Sequence, residues 1–305
     1  MPDKVLVYSR FPKAQMVRFG ERFELLDTAG KRPNDVFTTE QLSGIRAVLT
    51  AGGTPFSGNT MDLIPKLGAI VCYGTGYDGV DLAAAAKRGI AVGHSPGANA
   101  ASVADIAVTL MLATTRRLLS ADDYVRNGSW AGAKPSPMMR PQAGMLGRKI
   151  AARVAAFETE VGYFSRSRHD VPYQYFPTLE ALAEWCSVLM IAVRAGADTN
   201  HAVDGEILKK LGKDGFVVNI SRGSVIDEPA LIAALTDQTI AGAGLDVYAK
   251  EPHAPDALTA LPNVVLSPHI GGHTLESHVA MQNCVIANIE AYFAGKPLPY
   301  AVPSG

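Results

Sequence analysis

Short apolar runs of three to five residues, interspersed with stretches of helical periodicity, recur along this chain in two series, and few folds accommodate that pattern. The first series has runs at residues 5–8, 47–50, 69–72 and 90–92, with a helical stretch at 81–88. The second has runs at 160–164, 188–192, 216–220, 244–247 and 264–266, with a helical stretch at 179–185. A run that is apolar throughout must be covered on both faces, and parallel neighbours need a crossover, usually a helix. The pattern therefore predicts an α/β protein in which each series forms a parallel sheet covered by helices. A helix over 100–126 separates the series, and another over 275–293 closes the chain. The 305 residues suffice for two domains, and no repeat of the solenoid kind is present.

Composition narrows the function. Lys and Arg total 28 against 29 Asp and Glu, a formal net charge of −1. That balance offers no basic surface for nucleic acid and no polybasic run for an anionic membrane. No apolar stretch approaches the roughly 18–20 residues needed to cross a bilayer. The three cysteines, Cys72, Cys186 and Cys284, are widely separated and odd in number, which fits reduced thiols rather than a disulfide framework. Residues 1–4 carry no signal-peptide pattern. The expectation is a soluble cytoplasmic protein that acts on a small molecule.

Two glycine-containing turns follow runs of the first series, Ala51-Gly52-Gly53 and Gly74-Thr75-Gly76. In an open parallel sheet, ligands sit beyond the carboxyl ends of the strands. Glycines there let backbone N–H groups approach a small carboxylate, although ordinary turns use the same residues. In the second series Arg222 follows the run at 216–220 and His269 the run at 264–266. A guanidinium is permanently charged and matches a carboxylate, and an imidazole can donate a proton near neutral pH.

These pieces belong to an ordered series of motifs. Residues 76–82 read Gly-Tyr-Asp-Gly-Val-Asp-Leu, 95–98 Ser-Pro-Gly-Ala and 103–107 Val-Ala-Asp-Ile-Ala. Residues 218–227 read Val-Asn-Ile-Ser-Arg-Gly-Ser-Val-Ile-Asp, 242–247 Gly-Ala-Gly-Leu-Asp-Val, 251–252 Glu-Pro and 266–272 Leu-Ser-Pro-His-Ile-Gly-Gly. Over nearly its whole length the chain resembles the D-isomer-specific 2-hydroxyacid dehydrogenase family, in its glyoxylate/hydroxypyruvate and hydroxyphenylpyruvate reductase branch. The resemblance implies two Rossmann-like doubly wound domains with a cleft between them. One is a flavodoxin-like substrate domain from residues 1–98 plus 288–305, the other an NAD(P)-binding Rossmann domain from 99–287. It also implies a homodimer formed through the cofactor domains, and NADPH-dependent reduction of a small 2-keto acid to a D-2-hydroxy acid.

The resemblance assigns roles residue by residue. Arg222 would bind and polarise the substrate. Glu251 and His269 would form the acid pair, the carboxylate favouring the protonated imidazole. Ala51, Gly52, Gly53, Gly74, Thr75 and Gly76 would contact substrate together with Arg222 and His269. Val193, Arg194 and Thr199 would border the adenosine and pyrophosphate of the coenzyme. Ile220, Ser221, Arg222, Asp246, His269 and Gly271 would border the nicotinamide, with Asp246 accepting from its carboxamide. Where an NAD enzyme carries an acidic residue, this chain has Ser165-Arg166-Ser167-Arg168. Two guanidiniums and two hydroxyls suit a 2′-phosphate, so NADP(H) is preferred, with NAD(H) as the alternative.

One part of the coenzyme motif is defective. The family pattern needs an apolar strand, a Gly-x-Gly-x-x-Gly turn and a helix. The helix reads at 148–157, but only Gly144 and Gly147 remain of the turn, and Gln142 stands at the first glycine position. Residues 134–141 carry three prolines, which a central strand does not tolerate. The expectation is a truncation of about a dozen residues that removes the first Rossmann strand and its phosphate turn. Gly144 and Gly147 would then lie in the linker before it; a merely divergent turn is the alternative. A truncation raises a second functional reading, a dinucleotide-binding or scaffold protein of this fold with impaired catalysis. His269 and His273 would present a metal pair on a helix, but Gly271 and Gly272 oppose a helix there and no metal is expected. His94, His169, His201 and His253 read as loop or surface residues. Substrate choice falls to loops near Gly52, Gly76 and Met138-Met139-Arg140.

Overall fold

The computed structural model describes residues 2–131, 143–145 and 148–303. It divides into two compact units, Met1–Ala100 with Gly272–Gly305, and Ala101–Gly271.

In the first unit β1 (Lys4–Val7), β2 (Glu24–Asp27), β3 (Ala47–Ala51), β4 (Ala69–Tyr73) and β5 (Ala91–Gly93) form one parallel sheet. Its order, β2-β1-β3-β4-β5, is the flavodoxin-like one. Successive side chains point to opposite faces of a strand. Leu6, Val48 and Ile70 thus enter one core with Phe56, Met61 and Ile64. Val5, Val7, Leu49 and Val71 enter another, where Phe19, Val285 and Ile289 cover them. Val285 and Ile289 belong to the helix Leu275–Phe293, which is capped by the Thr274 side chain accepting from the Ser277 N–H. This helix lies wholly in the first unit, whereas a boundary at residue 288 runs through it.

The second unit holds β6 (Ala143–Met145), β7 (Val161–Phe164), β8 (Gln174–Phe176), β9 (Val188–Ile191), β10 (Phe216–Asn219), β11 (Gly242–Leu245) and β12 (Val264–Leu266). They pair in parallel in the order β12-β11-β10-β9-β6-β7-β8. The chain runs outward from β6 through β7 and β8, then returns to place β9 on the other side of β6. That reversal is the topological switch point, where open α/β sheets bind ligands. Leu189, Val217 and Ala243 face one core with Leu208, Leu231 and Leu258. Val188, Met190, Phe216 and Val218 face the other, under Ala104, Ala107, Leu110 and Met111 of the helix Ala100–Thr115.

The α/β class with two doubly wound sheets is the one expected, and two details differ. The first Rossmann strand is present: Ala143–Met145 pairs with β7 on one side and β9 on the other. It is only three residues long, and Gly144 lies within it rather than in a preceding linker. The ladder uses backbone groups, so a segment without an apolar run can fill the place between two strong neighbours. Gly147 and residues 132–142, which include Met138, Met139 and Arg140, lie outside the described residues. The helix expected over 100–126 is two, Ala100–Thr115 and Leu118–Arg126, because Arg117 takes a left-handed φ of 46°.

Candidate active site

Arg222, Glu251 and His269 all lie in the second unit, on the loops that leave the carboxyl ends of β10, β11 and β12. Those strands are sheet neighbours and run parallel, so the three loops emerge side by side. His269 Nδ1–H donates to Glu251 Oε2 at 2.7 Å, which leaves Nε2 as the ring nitrogen open to another molecule. His269 itself has a φ of 55°, a left-handed conformation that costs a non-glycine residue on the order of 1–2 kcal/mol. Glu251 Oε1 accepts from the Tyr248 N–H at 3.2 Å. Partial burial alone would raise the Glu251 carboxyl. The His269 hydrogen bond and charge, the Tyr248 N–H and the Arg222 charge outweigh it and hold the carboxyl below its ordinary value. Arg222 therefore sits within electrostatic reach of the pair, and its Nη1 donates to the Ser221 carbonyl at 2.9 Å.

Local hydrogen bonds and one glycine set this arrangement. The Asn219 side chain accepts from the Ser221 N–H and donates to the Arg222 carbonyl, both at 3.0 Å, which folds the turn after β10. The Ser221 hydroxyl donates to the Val193 carbonyl and ties the ends of β9 and β10. Gly223 is pressed against the next loop: a Cβ there would stand 1.9 Å from the Tyr248 carbonyl carbon. Tyr248 reaches the third loop, its hydroxyl donating to the Ser267 carbonyl at 2.9 Å. Burial pushes its phenol above the ordinary value, which keeps the proton on that donor. Asp246 is buried and accepts from the Ser267 hydroxyl, from the Ile270 N–H at 2.9 Å and from the Gly271 N–H at 2.8 Å. It thereby builds the turn that carries His269. Tyr248 touches all three loops, yet nothing in a lone aromatic after a strand marks it in the sequence.

A second group of expected residues gathers at the switch point. A cleft of about 810 Å³ opens beyond β7 and β9, with Ser165, Arg166, Val193, Arg194 and Thr199 in its lining. Its volume lies in the range of about 300–1,000 Å³ typical of small-molecule and cofactor sites. The Arg166 side chain is 96% exposed and its ion-pair partner Asp198 stands at 4.0 Å, a contact that contributes little and leaves the guanidinium available to a ligand. Ser165 Oγ donates to the Ser167 carbonyl. The Thr199 hydroxyl accepts from the Gly196 N–H and donates to the Arg194 carbonyl, both at 2.9 Å. Both hydroxyls therefore shape their own loops. Ser167 and Arg168 do not line the cleft, whereas Tyr163 and His169 do. Ile220 packs against the core.

The two glycine turns of the first unit also meet. The Gly79 N–H donates to the Gly52 carbonyl at 2.8 Å, and a Cβ at Gly52 would stand 1.8 Å from the Gly76 carbonyl oxygen. The Ala51 N–H donates to Ser9 Oγ at 2.8 Å, and the Thr75 hydroxyl to Asn99 Oδ1 at 2.8 Å. Gly74 takes a left-handed φ of 109° and Gly53 is exposed. His273 is hydrogen-bonded to His278 at 2.9 Å, and neither His269 nor His273 lies in a helix. Among the described residues no group of three or more His, Cys, Asp or Glu could hold a metal ion. No helix among them is long and apolar enough to cross a membrane.

The family model for the NAD binding domain of D-isomer specific 2-hydroxyacid dehydrogenases matches residues 108–271. The chain belongs to that family. This dehydrogenase is 41% identical to the 2-ketogluconate reductase of Gluconobacter oxydans (strain 621H), over 83% of its own length and 85% of that protein. It is 36% identical to a glyoxylate/hydroxypyruvate reductase A of Arabidopsis thaliana, over 91% and 92% of the two chains. The crystal structure of an NADPH-dependent glyoxylate/hydroxypyruvate reductase from Sinorhizobium meliloti, in complex with NADP and malonate, covers 99% of the dehydrogenase and 97% of its own chain. That match has 34% identity and a TM-score of 0.91.

The dehydrogenase is therefore an oxidoreductase of 2-hydroxy acids with a dinucleotide-binding domain. The second unit fits such a coenzyme. Its cleft lies at the switch point, the helix Arg148–Ala155 begins shortly after β6, and the exposed Arg166 guanidinium at the end of β7 can meet a phosphate.

Proposed function

We propose that the dehydrogenase reduces small 2-keto acids of the glyoxylate and hydroxypyruvate type to D-2-hydroxy acids with NADPH. The observation that carries this reading is the 2.7 Å contact of His269 with Glu251 beside the charge of Arg222. Arg222 holds the substrate carboxylate and polarises the ketone. NADPH, when bound, supplies the hydride. His269 Nε2 gives its proton to the developing alkoxide, while Glu251 holds the ring through Nδ1. In the first unit by itself, the glycines of the turns at Ala51-Gly52-Gly53 and Gly74-Thr75-Gly76 leave backbone that a small carboxylate can approach. Asp246, Ser221, Ile220 and Gly271 border the nicotinamide, and Val193, Arg194 and Thr199 the adenosine and pyrophosphate.

Preference for NADPH rests on Arg166 with Ser165, with Ser167 and Arg168 secondary, and is supported by the NADPH dependence of the Sinorhizobium meliloti relative. The first unit is the substrate domain and the second the coenzyme domain. A homodimer through the coenzyme domain accounts for Leu118, Leu119, Val125 and Trp130, which leave apolar side chains 55–62% exposed on the helix Leu118–Arg126 and the turn after it. Among the described residues Cys72, Cys186 and Cys284 are not joined in disulfides, which suits the cytoplasm.

The test is turnover of glyoxylate, hydroxypyruvate and bulkier 2-keto acids by the full chain, with NADPH and with NADH, read by coenzyme absorbance. The reading expects consumption of NADPH in preference to NADH. Dinucleotide binding without turnover on any 2-keto acid overturns it in favour of the catalytically impaired alternative.

A further inference from the structure

We infer that Tyr163 is a positioning residue for coenzyme choice, its hydroxyl closing the loop that presents Arg166 and so favouring NADPH over NADH. The inference rests on the reading of Arg166 as the partner of the 2′-phosphate. Tyr163 is the next-to-last residue of β7, is only 7% exposed, and lies between Met145 of β6 and Tyr175 of β8 in the sheet register. Its hydroxyl donates to the His169 carbonyl at 3.0 Å and accepts from the His169 N–H at 2.7 Å. Both bonds go to one residue six positions further on, so a single buried side chain joins the two ends of the segment Phe164 to Arg168. The Tyr163 ring also lies against the His169 ring, with centroids 5.9 Å apart and planes 30° from parallel.

Little else fixes that segment. Residues 166–170 are exposed. Inside it the Ser165 hydroxyl reaches the Ser167 carbonyl, and Tyr175 Oη donates to the Ser165 carbonyl at a long 3.4 Å. Among the described residues, the Arg166 guanidinium has the 4.0 Å solvent-exposed contact to Asp198 as its ion pair. A guanidinium pairs best with phosphate when its geometry is set beforehand, because ordering a loop during binding subtracts from affinity. The Tyr163 hydroxyl does that ordering before the coenzyme arrives. Its effect falls on the 2′-phosphate alone, since a phenylalanine ring preserves the packing in the cleft wall.

The experiment measures the affinity of the full chain for NADPH and for NADH by titration calorimetry, in the wild type, Tyr163→Phe, Arg166→Ala and the double variant, with melting temperatures recorded alongside. We expect Tyr163→Phe, which removes both bonds to His169, to weaken NADPH about fivefold or more and to leave NADH within about twofold. In the Arg166→Ala background the same change should have no further effect on NADPH. Equal losses for both coenzymes, or an unchanged NADPH affinity beside a weakened Arg166→Ala, overturn the role of Tyr163 alone. An Arg166→Ala chain that keeps its preference for NADPH overturns the reading of Arg166, and this inference with it.

Discussion

Arg222 and His269 reach their positions by opposite backbone means. Arg222 is extended, with φ of −144°, and approaches the neighbouring loop because Gly223 has no side chain. A methyl group at 223 would stand 1.9 Å from backbone carbon of Tyr248, and no rotamer change relieves a clash with main chain. Gly223→Ala should therefore lower stability by about 1–3 kcal/mol in denaturant melts and reduce turnover, because the loops bearing Arg222 and Glu251 must part. His269 instead carries its cost in its own left-handed φ of 55°. His269→Gly should be more stable than His269→Ala by about 1 kcal/mol in the same melts, although both lack the imidazole. Glu251 adds a pH dependence. Its carboxyl is held below its ordinary value of 4.5, so the folded state binds protons there less readily than the unfolded chain. That stabilisation is present in full above pH 4.5 and is lost as pH falls through the lower folded value. The melting temperature of the wild type should exceed that of Glu251→Gln at pH 6, and the gap should shrink below about pH 4. A gap that is constant with pH contradicts this.

At the scale of elements, the legible strands were those apolar at nearly every position. β3, β9 and β10 are buried nearly throughout, and their runs announced them. β2 and β8 lie at sheet edges with mixed exposure and left no comparable pattern. β6 is Ala-Gly-Met; its central place comes from β7 and β9 on either side, which periodicity along the chain does not report. The break at Arg117 has the same character, for neither Gly nor Pro marks it. The candidate catalytic residues were legible only as members of an ordered series of motifs. Their convergence depends on β10, β11 and β12 being neighbours, a property of topology. Tyr248 stayed hidden because its part lies in contacts between loops. Tyr248→Phe removes the 2.9 Å bond to the Ser267 carbonyl and the longer 3.4 Å approach to the Leu245 carbonyl while keeping the ring, so turnover should fall about three- to tenfold, in line with the net worth of about one hydrogen bond. NADPH affinity should not move, and calorimetry beside steady-state kinetics separates the two effects.

At the scale of the molecule, each unit has its own pair of cores on the two faces of one parallel sheet. Among the described residues, those lining the proposed coenzyme cleft all belong to the second unit. A ligand that binds only the folded state stabilises it by about 2.7 kcal/mol at a hundred times its Kd. NADPH should therefore raise the melting temperature, and NADH at equal concentration should raise it less. The exposed apolar side chains of Leu118, Leu119, Val125 and Trp130 belong to this scale too. Trp130→Glu combined with Leu118→Glu should convert the proposed dimer to a monomer in analytical ultracentrifugation. The central claim is that His269, set by Glu251, delivers the proton while Arg222 holds the substrate. It is tested most directly by measuring kcat/KM for hydroxypyruvate alongside NADPH affinity in His269→Ala. The account predicts a loss of about a hundredfold or more in kcat/KM with NADPH binding preserved; a variant that turns over at the wild-type rate contradicts it.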